Sequence, residues 1–363
     1  MEACHLMGAR KISLYGTGRN ETEVIEYLCS LVEDRDEPVN FLQLYLTQRC
    51  QLACKYCGMR GSSERSDMSE SMLRQAIDFL FTSDSKDIRL QFFGGEPLLR
   101  FDLVKKGVSY ALKKAERLGK KCKFLLATNG LSLNKASLDF FRSNNFSLVF
   151  SLDGKEKVQA INRPPLKRAF AERYFKQIST NLERLAASGV SFFVNCVVGP
   201  GMVSYMPETV DFLINRKVRN IRFSYMMGVF WEMPEIRRLQ EEVREQFVRC
   251  KNDHPEIEIT ACDDEPVLLC SGIAAAHNGD LFVGSTLPLK QRFTHLPRIN
   301  YYGNLNRLKT INLLKRNKKA EVEKALGAAL CHKNEFRLLA NNIYMGILHE
   351  RLFNRLLKNH DKS

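Results

Sequence analysis

Cys50, Cys54 and Cys57 stand in the run Thr47-Gln48-Arg49-Cys50-Gln51-Leu52-Ala53-Cys54-Lys55-Tyr56-Cys57 of a 363-residue chain. Three thiolates in one short loop can hold three irons of a [4Fe–4S] cube, and the loop contains no fourth cysteine. One iron would then keep open positions and could bind and activate a substrate; a four-cysteine cluster mainly passes electrons or supports the fold. A structural zinc site is the competing reading. Zinc takes four ligands, usually as two pairs, and the chain has no second Cys-x-x-Cys or His-x-x-x-His pair. The spacing therefore points to chemistry rather than to a staple.

Such a loop must be positioned, and the surrounding pattern shows how. From about residue 41, short β-rich runs alternate with helical stripes, the mark of a parallel sheet. Strands are expected over 41–46, 88–93, 123–127, 147–152, 191–198 and 221–226. Helices are expected over 69–82, 101–118, 135–142 (capped by Asn134), 169–188, 207–216 and 235–250. This predicts an α/β fold, a partial parallel (β/α)6 barrel over 41–254. Residues 1–40 form a lead-in with one helix over 21–32. After Pro255 the alternation stops. A strand over 257–261, a hairpin over 273–283 turning at Asn278-Gly279, and basic helical sequence suggest a small α+β extension, 255–363. Its docking stripe is Ile343, Ile347, Leu348, Leu352 and Leu356.

In parallel β/α architectures the reactive groups gather at the carboxyl ends of the strands. Here the first strand ends at the cysteine loop and the second at Gly94-Gly95-Glu96-Pro97. The third ends at Thr128-Asn129-Gly130 and the fourth at Ser151-Leu152-Asp153-Gly154. The fifth carries Asn195, and the sixth closes on Ser224-Tyr225-Met226. Each motif alone is an ordinary turn. Their placement at successive strand ends is the informative feature.

With these motifs in order, residues from about 41 to 226 resemble the radical S-adenosylmethionine superfamily. The narrower likeness is to the branch that matures ribosomally made peptides and sulfatases, where Gly-Gly-Glu-Pro and Ser-Leu-Asp-Gly occur together. The resemblance implies a [4Fe–4S] cluster on Cys50, Cys54 and Cys57, with S-adenosylmethionine chelating the open iron. It places the carbonyls of Gly94 and Gly95 on the cofactor's ammonium, with Glu96 adding charge or bracing the turn. Thr128 and Asn129 lie at the same rim. Ser151 and Asp153 would bond the ribose hydroxyls, and Arg163 would pair with the methionine carboxylate in a fork that lysine cannot copy. Asn195 and the backbone near Tyr225 would touch the adenosine, and Tyr56 would shield the cluster. The implied reaction is reductive cleavage to methionine and a 5′-deoxyadenosyl radical, which takes hydrogen from a peptide or protein side chain.

The same resemblance implies an external one-electron donor of flavodoxin or ferredoxin type. Peptide-modifying relatives often carry a cysteine-rich SPASM or twitch domain with further clusters, and Cys270-Ser271-Gly272 with the following hairpin looks like its beginning. The next cysteine of that pattern would fall near Ser285 and is missing; Cys262, Cys270 and Cys331 supply at most three ligands. A remnant without metal is expected. About forty residues precede the first strand, too few for a complete leader-binding module, so a separate leader-recognition protein is a corollary.

Bulk properties narrow the setting. Hydrophobic residues make up 44% and charged residues 26%, as in a soluble globular protein. No apolar run is long enough to cross a bilayer, and Met1-Glu2-Ala3-Cys4-His5-Leu6 does not open an export signal. Eleven cysteines in a chain this large fit a reducing cytoplasm. The net charge of +14 favours acidic partners. Much of it clusters over 307–319 and 351–362, where a solvated helix face accounts for it and Phe353 is the one aromatic residue. RNA as substrate and a cluster protein without catalysis are the alternatives; no stacking platform supports the first, and Glu96 with Asp153 at intact strand ends opposes the second. Iron analysis after anaerobic reconstitution is expected to give about four irons per chain; about eight would reveal a second cluster in the extension.

Overall fold

Apolar residues two apart in a run of β-formers land on one sheet face, and this alternation builds the centre of the protein. The computed structural model describes residues 19–59, 66–260, 272–284 and 286–360. Seven parallel strands form in chain order: β2 (Phe41–Tyr45), β3 (Asp87–Phe93), β4 (Lys121–Thr128), β5 (Ser147–Ser151), β6 (Ser191–Val198), β7 (Asn220–Tyr225) and β8 (Glu258–Thr260). Each pairs with the next. A two-residue ribbon of β1 (Asp36–Glu37) and β12 (Arg316–Asn317) lies apart.

The crossovers are α2 (Glu70–Leu80), α3 (Phe101–Leu118), α4 (Lys135–Ser143), α5 (Glu156–Asn162) with α6 (Ala171–Ala186), α7 (Met206–Ile214) and α8 (Met233–Asp253); α1 (Glu21–Ser30) precedes the sheet. Their ends follow local chemistry. Ser69 accepts from the Met72 amide at 3.1 Å to start α2, and Asn134 caps α4 as expected, with Ser137 returning the bond. Gly119, at φ 60°, stops α3.

Leu42, Leu44, Leu90, Phe92, Leu126, Phe150, Val194, Cys196, Ile221 and Phe223 point under the helices and are buried. The opposite face carries Leu125, Ala127, Val149, Ser151, Phe193, Asn195, Val197, Arg222 and Ser224, all half-buried. One face is thus a core, and the other is half-buried.

The expected mostly parallel α/β architecture is observed, with two refinements. The strand expected over 257–261 is β8 and adds a seventh parallel strand beside β7; residue 261 lies outside the described residues. The expected hairpin is β9 (Ile273–Ala275) and β10 (Asp280–Val283), turning at Gly279 with φ 85°, and β11 (Tyr301–Asn304) follows. β9 pairs parallel with β2, so residues beyond 255 extend the same sheet at both ends. The helix α5 was not anticipated, because seven residues ending at Arg163-Pro164-Pro165 carry too short a stripe to stand out.

The chain ends in α9 (Lys318–Ala329) and the 28-residue α10 (Lys333–His360). Ile343, Ile347 and Leu352 are buried, and Leu348 and Leu356 pack partly buried against the core, as the stripe required. α10 also covers the part of β7 that short β8 leaves unpaired. The His349 Nε2–H donates to the Phe223 carbonyl at 2.9 Å, and the ring meets Tyr225 edge-on at 5.8 Å. No helix among the described residues is long and apolar enough to cross a membrane.

Burial pushes the His349 imidazole down to about 4, and its bond to Phe223 only partly opposes this. Above about pH 6.5, the ordinary histidine value, the ring is neutral folded or unfolded and the contact is fully stabilising. As pH falls towards 4 the unfolded chain binds a proton that the folded chain refuses, so stability drops, by about 2 kcal/mol at pH 5. The unfolding free energies of wild type and His349→Gln are expected to converge by about that amount between pH 7.5 and pH 5; parallel profiles would exclude this linkage.

Candidate active site

The cysteine loop leaves β2 and is gripped from three sides by backbone. The amides of Gly95 and Glu96 donate to the carbonyls of Thr47 and Arg49 at 2.7 and 2.8 Å. A Cβ on Gly94 would stand 2.5 Å from the Thr47 oxygen, and one on Gly95 2.3 Å from the Arg49 oxygen. The paired glycines are therefore required by this contact, with Gly94 at φ 128° as well. On the second side, Ala53 and Lys55 donate to the carbonyls of Pro164 and Asn162 at 2.8 and 2.9 Å, while Leu166 donates to Gln51 at 2.8 Å. Arg163-Pro164-Pro165 is thus a wall of the site and not a surface loop. On the third, Gly58 donates to the Pro288 carbonyl and Arg292 to that of Lys55, so the chain after β10 closes over the loop.

Glu96 is fully buried and joins strand ends. Its carboxylate accepts from the Leu98 amide at 3.1 Å, the Thr128 hydroxyl at 2.9 Å and the Asn129 amide at 2.7 Å. Burial raises the carboxyl to about 7 even though the three donors work the other way. Of the two roles anticipated for Glu96, bracing is the one these bonds perform. Asn129 extends the brace: its side-chain amide donates to Gln51 at 3.1 Å and approaches the Cys50 sulfur at 3.6 Å.

Asp153 and Arg163 are both buried and form an ion pair, Nε to Oδ1 at 2.9 Å. The same oxygen accepts from the Val197 amide at 3.0 Å, and Oδ2 from the Tyr56 hydroxyl at 2.9 Å. The guanidinium lies 5.2 Å from the centre of the Tyr56 ring. Asp153 therefore positions Arg163 and Tyr56, a task not read from sequence. Its own amide donates to buried Gln159 at 3.0 Å; Gln159, on α5, carried no signal in the sequence. Asp67 is a second such residue, accepting from Thr47, Arg49 and Arg100 to pin the start of the loop.

The remaining sequence candidates occupy the open face. Ser151 pairs across β5 and β6 with Asn195, whose side-chain oxygen accepts from Ser224 at 2.8 Å. The Tyr225 side chain turns away, towards Asn342 and His349 on α10, leaving only its backbone at the rim.

The three thiols lie close enough to act on one another electrostatically. Burial pushes Cys50 up to about 11 and Cys54 to about 12, with nearby Arg163 lowering Cys54. In a cube each thiolate takes its own iron, and three thiols in one loop fit that donor set. Of the three auxiliary candidates, Cys262 and Cys270 lie outside the described residues, and Cys331 is disulfide-bonded.

Residues 44–213 match the model of the radical SAM superfamily. A similar protein is the uncharacterized protein MJ0907 of Methanocaldococcus jannaschii, 28% identical over 187 residues, 51% of this chain and 62% of that one. Another is the serine-type anaerobic sulfatase-maturating enzyme of Klebsiella aerogenes, 26% identical over 53% of this chain and 47% of that enzyme. The matched segment thus spans less than two thirds of either relative. Solved structures of anSMEcpe with bound AdoMet share the fold, with a TM-score of 0.68 at 15% identity over 89% of this chain and 98% of that one. Residues 44–213, just under half of the chain, are thus a radical SAM domain, a family whose cofactors are a [4Fe–4S] cluster and S-adenosylmethionine.

Removing one partner of the buried pair strands the other charge, at a cost of about 3 kcal/mol. Asp153→Ala is therefore expected to lower the unfolding midpoint, and Asp153→Ala with Arg163→Met to recover most of the loss. A double variant no more stable than the single one would show that the pair is not the reason.

Proposed function

We propose that this radical SAM enzyme modifies a side chain of a peptide or protein. The reading is supported by the likeness to a sulfatase-maturating enzyme and by a fold shared with anSMEcpe, which has also been solved with the Kp18Cys peptide. The observation that carries it is the open sheet face. It runs half-buried from β4 to β7 across the middle of the sheet.

In this reading Cys50, Cys54 and Cys57 hold the cluster. The carbonyls of Gly94 and Gly95 receive the cofactor's ammonium, and Glu96, Thr128 and Asn129 keep that turn against the loop. Ser151 meets the ribose, Asn195 and the Tyr225 backbone the adenosine. Asp153 acts through Arg163 and Tyr56, fixing the wall that excludes water from the thiols. When bound, cluster and cofactor supply one-electron cleavage chemistry able to attack unactivated carbon–hydrogen bonds. Residues 41–254 form the catalytic core and 255–363 a cluster-free extension. The +14 charge suits an acidic flavodoxin- or ferredoxin-type donor in the cytoplasm, and a separate protein would present the leader.

Cys54→Ala is expected to abolish 5′-deoxyadenosine release under reducing anaerobic conditions. Mass spectrometry of short peptides co-expressed from neighbouring reading frames should show a mass change that the variant does not produce. Cofactor cleavage without modification of any peptide or protein, but with modified RNA, would replace this substrate class.

A further inference from the structure

Asn129 stands just past β4 with its side chain turned to the cysteine loop, and one backbone group fixes how it points. The Leu131 amide donates to the Asn129 Oδ1 at 2.9 Å. A backbone N–H needs an acceptor, so the oxygen faces Leu131 and the nitrogen is left for the loop. From there the orientation propagates. Nδ2 donates to the Gln51 side-chain oxygen at 3.1 Å, and the Gln51 nitrogen in turn donates to the Ser132 hydroxyl at 2.7 Å. The second acceptor of Nδ2 is the Cys50 sulfur, at 3.6 Å. An amide nitrogen carries two N–H bonds, and this one has two acceptors. Asn129 is buried and its backbone amide is held by Glu96, so the side chain has little solvent to turn to.

The Cys50 sulfur also receives the Leu52 amide, at 3.4 Å. A thiol sulfur is a weak acceptor, and two donors aimed at one gain little. A sulfur carrying negative charge is a far better partner, because hydrogen bonds to an ionised group are about twice as strong as neutral ones. Metals bind the thiolate. The two donors therefore suit Cys50 as a ligand better than as a free thiol. Their effect does not stop at binding. An electron entering an iron–sulfur cluster adds negative charge to its sulfurs, so an N–H on a ligand sulfur favours the reduced state.

We infer that Asn129 is a positioning residue that acts through Cys50: its side-chain N–H, aimed by Leu131 and Gln51, raises the reduction potential of the cluster. The inference rests on the reading of Cys50, Cys54 and Cys57 as cluster ligands. It gives Asn129 a task other than contact with S-adenosylmethionine.

Two variants of the anaerobically reconstituted enzyme, without S-adenosylmethionine, separate donor from brace. Asn129→Leu removes the side-chain donors and the acceptor for Leu131, whereas Asn129→Asp removes the donors and keeps that acceptor. The cluster midpoint, from a potentiometric titration followed by electron paramagnetic resonance, is expected to fall in both. The expected fall is about ten-fold in the reduced-to-oxidised ratio, about 59 mV for one electron. An unchanged midpoint in Asn129→Leu would overturn the inference and leave Asn129 a brace. A midpoint lowered in Asn129→Leu but restored in Asn129→Asp would overturn it too, by assigning the effect to the turn at Leu131. A further readout needs no variant to fold. With asparagine isotopically labelled at its side-chain nitrogen, the reduced wild-type cluster should show hyperfine coupling to the label. A normal reduced cluster without that coupling removes this inference alone; wild type that assembles no reducible cluster overturns the family reading with it.

Discussion

One buried carboxylate holds the site together. Glu96 receives two backbone amides and a hydroxyl from three positions, while its own amide ties the turn to the cysteine loop. A carboxyl group inside a protein is tolerated only when its oxygens are filled by donors, so Glu96 ties β3, β4 and the loop into a single arrangement. The paired glycines complete the constraint by letting backbone lie against backbone where any Cβ would collide. Asn129 then carries the brace to within reach of the Cys50 sulfur.

A second polar knot works on the other flank. Asp153 joins Arg163, Tyr56 and the Gln159 side-chain oxygen in one largely buried group, and the Pro164 carbonyl accepts from Ala53 beside it. A buried ion pair of this kind contributes little net stability and much geometry. Between the two knots the loop has almost no freedom, which is what three thiols need if each is to present its sulfur to a separate iron.

The extension plays a part in the same architecture. Rather than standing beside the sheet, it adds β9 next to β2, sends Pro288 against Gly58, and lays α10 over the exposed end of β7. Two buried asparagines of α10, Asn341 and Asn342, bond the backbone of Trp231, Gly228 and Val229, so the loop beyond β7 is fixed by the end of the chain.

Local pattern alone determined much. Strands, most helices, the Asn134 cap, the hairpin turn and the three thiols follow from periodicity, capping chemistry and spacing, each settled within a few residues. Family resemblance added the cofactors. Partners far apart in sequence were decided only by tertiary structure. Asp153 proved to be a hub because Tyr56 reaches it from the cysteine loop and Val197 from β6, and Arg163 is a wall residue because the cysteine loop runs along it. Spacing along a chain reports which side chains share a face; which acceptor remains for a buried donor depends on the whole set of neighbours, and that set exists only after folding.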